Sequence, residues 1–331
     1  MKPYQIAGIG NAIVDVIATV DDHFLDHMGI RKGIMQLIER DRAEQLYAAM
    51  SSRAEAAGGS VANTLAGAGA LGLNAAFVGR VNDDALGRFY AADTEAAGTR
   101  FVNAPVAGGE LPSSRSMIFV TPDGERSMNT YLGISAELGP EDVDEAVMAA
   151  SEIVFLEGYL FDKDKGKAAF LKAARACRTA GGRAGIALSD PFCVDRHRAD
   201  FRALVAQDMD YVIGNEQEWV SLYQANDLED ALAQAIRECE LVVCTRSGDA
   251  VWIFEKGTRH EIPVARVVPV DATGAGDQFA AGFLSGLAMG RDMATAGRMG
   301  VLAAAEVIGH LGARPQTDLR AAFARAGVSA A

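Results

Sequence analysis

Cationic side chains are in short supply: 31 lysines and arginines face 44 aspartates and glutamates, a formal charge of −13 over 331 residues. That deficit argues against nucleic acid or an anionic membrane as the main partner, since the net charge would repel either polyanion. A small polyanion stays compatible only where local amides or cations receive it. Cysteines are few, and Cys177, Cys193, Cys239 and Cys244 form no C-x-x-C pair. No disulfide framework follows, which fits a reducing cytoplasm. No apolar run approaches the ~20 residues of a membrane span. The opening Met1-Lys2-Pro3-Tyr4 lacks the apolar core of a secretory signal. His23 and His27 stand four apart with no third ligand at zinc spacing, so a solvated pair on a helix is expected.

What the chain does have is apolar content, half of its residues, enough for a large buried core. Strand patterns at residues 5–9, 75–79, 153–156, 185–188, 211–213 and 241–245 alternate with helical ones. The helices are predicted at 60–71, 84–97, 164–180, 198–206 and 231–237, with two more after Gly276. This alternation implies one α/β domain over residues 1–331, its mostly parallel sheet covered by helices on both faces. Two β-rich stretches, roughly 13–38 and 101–131, interrupt it and are expected to form a small antiparallel sheet serving as a lid. Thr121-Pro122-Asp123-Gly124 marks a hairpin turn in the second.

The densest chemistry lies in Asp271-Ala272-Thr273-Gly274-Ala275-Gly276-Asp277, a glycine-rich turn running into an apolar helical pattern. Small residues let the backbone approach a ligand, and unpaired N–H groups at a helix start favour an anion. Asp277 at that mouth suits a base that takes a proton from a hydroxyl. The amides of Ala275, Gly276 and Asp277 would then hold phosphoryl oxygens. The plainer reading is an N-cap on a structural turn.

Asp15 lies between Ala12-Ile13-Val14 and Val16-Ile17, where a carboxylate needs either an ion pair or a ligand. With Asn11 it could hold hydroxyl groups. Gly8-Ile9-Gly10 lacks the third glycine of a dinucleotide-binding turn, because Ile13 stands there. Gly58-Gly59-Ser60 opens a helix, and Ser60 and Asn63, three apart, share its first-turn face. A bare N-cap would account for Ser60 alone. Asn215 to Glu218 follow a strand at the edge where parallel sheets bind ligands. Glu218 and Asn215 suit a Mg²⁺ held largely through water, or merely complement a helix dipole. Thr245-Arg246-Ser247-Gly248 turns at the same edge, within reach of nucleotide phosphates. There is no G-x-x-x-x-G-K-S/T loop and no H-R-D, which excludes those two kinase classes.

In this order the segments resemble the ribokinase-like (PfkB) family of carbohydrate and nucleoside kinases, almost from end to end. The turn ending in Asp277 is similar to that family's C-terminal signature. Gly58-Gly59-Ser60 to Asn63 and Gly79 to Gly87 are similar to its N-terminal one. Gly8 to Asp15, Val20 to Asp26, Leu188 to Phe192 and Gly214-Asn215-Glu216 look most like the adenosine kinase branch. The resemblance implies a ribokinase-like three-layer fold with a small β-sheet lid. It implies transfer of the ATP γ-phosphoryl group, with Mg²⁺, to the 5′-hydroxyl of adenosine. A sugar kinase acting on ribose, fructose or a sugar acid is the alternative, and a nucleoside-binding protein without turnover is a third reading.

Carried onto these positions, the resemblance implies that Asn11, Asp15, Gly58, Gly59, Ser60 and Asn63 hold the acceptor. Asp277 is then the base, Gly274, Ala275 and Gly276 the anion hole, and Arg126 a clamp on the transferring phosphate. Gln36 near the lid and Tyr159 would meet the base. The paired aromatics of that branch are matched only in part by Gly158-Tyr159-Leu160-Phe161. Asn215, Thr245, Ser247, Gly248 and Thr273 would face ATP, and a monovalent cation such as K⁺ would sit at Asp271 and Thr273. Expected partners are a nucleoside or sugar and ATP; monomer and homodimer both stay open.

Overall fold

A computed structural model describes residues 2–328. In chain order the strands are β1 (Tyr4–Ile9), β2 (Ile13–Thr19), β3 (Met35–Leu37), β4 (Ala54–Gly58), β5 (Ala75–Val78), β6 (Thr99–Phe101) and β7 (Ser114–Val120). They continue with β8 (Arg126–Tyr131), β9 (Ser151–Glu157), β10 (Arg183–Ala187), β11 (Tyr211–Asn215), β12 (Leu241–Arg246), β13 (Asp249–Glu255) and β14 (Thr258–Ile262). A large sheet has the order β14-β13-β12-β11-β10-β9-β1-β5-β6, parallel from β12 to β6 and antiparallel at the β13 and β14 edge.

Helices cover both faces, so central strands read as apolar without a polar side. Along β9, Ile153 and Phe155 enter one buried cluster while Val154 and Leu156 enter the other. The helix Ser60–Ala70 is built from small residues because it packs closely on the helix Ala275–Ala288. A Cβ at Gly67 would collide with the Gln278 amide oxygen and come 2.7 Å from Ala281. That contact joins two segments more than two hundred residues apart.

The chain leaves β1 for β5 and β6 on one side, then returns to β9 on the other. Such a reversal opens a crevice beyond the carboxyl ends of the strands. A five-stranded sheet of order β3-β8-β7-β2-β4 stands beside it. The α/β class, the mostly parallel sheet and the second smaller sheet agree with the sequence reading.

Several element readings need correction. Besides strands from the two predicted stretches, the smaller sheet takes β4, which lies outside both, and β2–β7 and β3–β8 pair in parallel. β6 joins the large sheet, and residues 22–28 form a helix capped by Asp21. The helix predicted from 198 begins at Pro191, with Asp190 accepting from the Phe192 and Cys193 amides. The β13–β14 hairpin escaped the sequence reading, and among the described residues three helices follow Gly274 rather than two. All four cysteines are buried and free.

Candidate active site

The carboxyl ends of β1 and β9 to β12, one face of the smaller sheet and the turn before Ala275 enclose a cavity of about 810 Å³. Asp277 enters it from the first turn of the helix Ala275–Ala288. Its Oδ1 accepts from the Ser60 hydroxyl at 2.7 Å and its Oδ2 from the Asn63 side-chain amide at 3.1 Å. Burial pushes its pKa up to about 6 against the pull of those two donors. At neutral pH it is therefore an ionised, poorly hydrated carboxylate, the state a general base requires.

The turn itself is tightly specified. Gly274 takes φ +79 as the N-cap and contributes no side-chain cap. A Cβ there would stand 2.6 Å from the Ala313 Cα, so both conformation and space demand glycine. The Gln278 amide closes the first helical bond onto the Gly274 carbonyl at 2.8 Å. Contrary to the sequence reading, the Ala275 amide is not free: it donates to the Ala272 carbonyl at 3.2 Å. Two amides, those of Gly276 and Asp277, are left to receive an anion.

Asp15 faces the same cavity from β2. Among the described residues it accepts no hydrogen bond and forms no ion pair, so the ion-pair reading does not hold and its oxygens stay open to the cavity. Burial raises its pKa to about 6, while the charges of Arg126 and Arg314 oppose that rise. Gly58 does not line the cavity; it makes room for Asp15, whose Oδ2 a Cβ would meet at 2.5 Å. Gly59, at φ +100, lies tight against the Asn11 carbonyl and does line it.

Asn11 is held rather than free. Its backbone amide and Nδ2 both donate to Glu157 Oε1, at 3.2 and 2.7 Å, and its Oδ1 accepts from Ser135 at 3.0 Å. The other Glu157 oxygen accepts from the Val61 amide at 3.2 Å, satisfying a donor at the start of that helix. Burial pushes Glu157 up to about 7 despite these donors. The sequence reading ended β9 at Leu156 and missed this carboxylate; a charged residue closing an apolar parallel strand was the available signal.

Thr245, Asn215, Glu218 and Thr273 line the far end of the cavity, but Ser247 and Gly248 do not. They sit in the β12–β13 connection, with Ser247 at φ +50. Asn215 and Glu218 form a capping box: Glu218 accepts from the Asn215 amide and Nδ2, each at 2.8 Å. The helix-start reading thus accounts for both side chains. Burial lifts Glu218 to about 7. Among the described residues no group of three His, Cys, Asp or Glu side chains could hold a metal.

Arg126 and Asp271 form an ion pair with each other, and neither lines the cavity. Asp271 also accepts from the Thr273 and Gly312 amides, at 2.9 and 3.0 Å. Its carboxylate thus carries an arginine at the Asp271 and Thr273 turn, where the sequence reading expected a monovalent cation. Gln36 is corrected too. It turns from the cavity and donates to Asn129 at 2.7 Å, while its strand neighbours Met35 and Leu37 line the cavity. Successive side chains of a strand point to opposite faces. Phe161 is core, stacked on Phe201 at 4.0 Å between centroids. Tyr159 reaches the cavity, and Phe192, 72% exposed, reaches it as well.

Residues 6–319 match the family described as pfkB family carbohydrate kinase. The chain belongs to the PfkB family. Over 99% of its length it superposes on a crystal structure of a probable sugar kinase from Rhizobium etli CFN 42, with 44% identity, TM-score 0.90 and all of that chain covered. The adenosine kinase from Sinorhizobium meliloti is equally similar: 45% identity, TM-score 0.89, over 98% of this chain and 99% of that one. A 5-dehydro-2-deoxygluconokinase from Halalkalibacterium halodurans is 27% identical over 76% of this chain and 79% of its own. As a PfkB-family kinase the protein is a phosphotransferase with an alcohol acceptor. The family implies ATP as donor and, typically, Mg²⁺.

Proposed function

We propose that this PfkB kinase transfers the γ-phosphoryl group of ATP to the 5′-hydroxyl of adenosine, with Asp277 as base. The observation that carries the nucleoside reading is the apolar wall over the acceptor end. Ile13, Met35, Leu37, Met128 and Leu132 line it, and Met35 and Leu37 are 47% and 55% exposed. Exposed apolar side chains facing a cavity are costly unless a ligand covers them, and a sugar's rim of hydroxyls would not. Tyr159 and Phe192 add aromatic surface for a planar base. The 45% identical relative from S. meliloti, an adenosine kinase, supports the same acceptor.

In this reading Asp15 and Asn63 grip the ribose hydroxyls, and the 5′-oxygen points to Asp277. That oxygen bonds to the γ-phosphorus as the bond from phosphorus to the β,γ-bridging oxygen breaks, with the electron pair leaving on ADP. The hydroxyl proton passes to the Asp277 carboxylate. The Gly276 and Asp277 amides stabilise the equatorial phosphoryl oxygens. With Glu218 and Asn215 bonded to each other, the residues present fit a Mg²⁺ carried on phosphate oxygens and water, which would spread the developing charge. The smaller sheet acts as a lid on a single kinase domain, excluding water from the reacting atoms. Buried free thiols and ATP use support a cytoplasmic setting.

Free sugar is the second reading, favoured by the dense hydrogen bonding around Asn11 and Glu157 and by the sugar kinases among its relatives. Ligand-induced thermal stabilisation and ADP release, measured across adenosine, ribose, fructose and a keto-deoxy sugar acid, separate the two. Adenosine is expected to stabilise the protein and drive ADP release; response to sugars alone would overturn the nucleoside assignment.

A further inference from the structure

Behind the base, the segment 312–314 reaches three elements of the site. The Gly312 amide donates to Asp271, and the Ala313 carbonyl accepts from Gln278 Nε2 at 2.9 Å. Gln278 Nε2 also donates to the Asn63 carbonyl at 2.9 Å. Arg314 then divides its guanidinium: Nε donates to Asn63 Oδ1 at 3.4 Å, and Nη1 pairs with Asp93 Oδ2 at 3.1 Å. Asp93 accepts in addition from the Ala57 amide of β4 at 3.0 Å, so this arginine is anchored to the smaller sheet.

A carboxamide has one accepting and one donating end, and its orientation follows from its partners. Arginine has no acceptor, so only the Asn63 oxygen can face it. The Asn63 N–H₂ group is thereby turned toward Asp277 Oδ2. Rotated by half a turn, Asn63 would set its oxygen against the Asp277 carboxylate and its N–H₂ against a guanidinium, two repulsive contacts.

We propose that Arg314 is a positioning residue for phosphoryl transfer, locking the Asn63 carboxamide so that it donates to the base Asp277. Arg314 does not line the cavity and touches no reacting atom, so it acts through Asn63. The inference rests on Asp277 as base and not on adenosine as acceptor.

Other charged groups near Asp277 and Asp15 are Arg126 from β8 and Glu157 from β9; Asp93, on the helix Ala85–Ala96, stands behind Arg314. Arg314 is one of two cations favouring the ionised form of Asp15. Its loss therefore raises the proton affinity of both carboxylates, directly at Asp15 and through Asn63 at Asp277.

The test is kcat against pH for Arg314→Met, Asn63→Leu and the double variant, with whichever acceptor gives the wild type its highest ADP release. Arg314→Met is expected to lower kcat roughly 10-fold, the scale of one hydrogen bond to a charged group. The acidic limb should move to higher pH while KM for ATP holds. At pH 8, where both carboxylates are ionised and the direct effect on Asp15 drops out, the double variant should lose no more than Asn63→Leu alone, because Arg314 reaches Asp277 only through Asn63. Independent, multiplying losses, or an unmoved pH limb, would overturn the proposal. Asp93→Asn, which loosens the Arg314 anchor, provides a milder version should Arg314→Met fold poorly; it too must shift the limb. An Asp277→Asn control that retains turnover sinks the base assignment itself, whereas an inactive control beside a normal Arg314→Met sinks only this inference.

Discussion

Asp277 and Asp15 share a cavity, a pKa pushed up to about 6 and opposite degrees of restraint. Asp277 is held by two donors, which aims its oxygens; among the described residues Asp15 takes none, which leaves its oxygens open to the cavity. Their substitutions should therefore fail differently. Asp277→Asn is expected to lower kcat by roughly 10²–10⁴-fold with acceptor affinity retained, the range for a positioned base. The wild type should lose kcat as pH falls through about 6, because protonated Asp277 cannot accept the hydroxyl proton. Asp15→Ala should abolish acceptor binding in calorimetry while ATP still binds. Both aspartates stand out locally in the sequence, one in an aliphatic run and one beside a glycine turn, and the structure brings them to one cavity. Glu157 offered only the signal of a charge closing an apolar strand, because its bonding depends on Asn11, 146 residues away.

The glycine turn before Ala275 and the strands of the smaller sheet carry the predictions at the level of elements. Gly274→Ala must accept φ +79 and a clash with Ala313, so a loss of about 1–3 kcal/mol of stability is expected together with activity. Gly276→Ala meets nothing within 4 Å and should fold normally, with the methyl group crowding the anion. Thermal melts and ADP release on the pair separate the two roles; equal melting losses would refute this division. On β3, replacing Met35 and Leu37 together by Ser should raise KM for adenosine roughly 10–100-fold and leave KM for ATP unchanged. The alternation that puts Gln36 on the other face could not be read from three residues, because strand polarity across such a short segment is set by its pairing with β8.

Across the whole molecule, four carboxyls at the site are pushed up by burial: Asp15 and Asp277 to about 6, Glu157 and Glu218 to about 7. Each binds its proton more tightly folded than unfolded. Their contribution is therefore complete below their ordinary values near pH 4 and disappears as pH rises through 6 to 7. Glu218→Gln keeps a capping side chain without the titration. Relative to the wild type it should gain stability between pH 5 and 8, by up to about 3 kcal/mol, in urea unfolding. A pH-independent difference would show that burial at Glu218 is not what shifts it.

Alternating strand and helix patterns were enough to determine the α/β class, and a glycine-rich turn before an apolar helix with lone carboxylates in aliphatic runs, in the order that resembles the PfkB family, was enough to point to a kinase. These features are local, since a few neighbouring residues decide turn conformation, helix starts and which side chain is out of place. Which amides stay free, which carboxylate takes an arginine, and which strand face meets the cavity were decided only by the tertiary structure. Hydrogen-bond partners and burial depend on segments brought together from opposite ends of the chain, and no local pattern encodes that meeting.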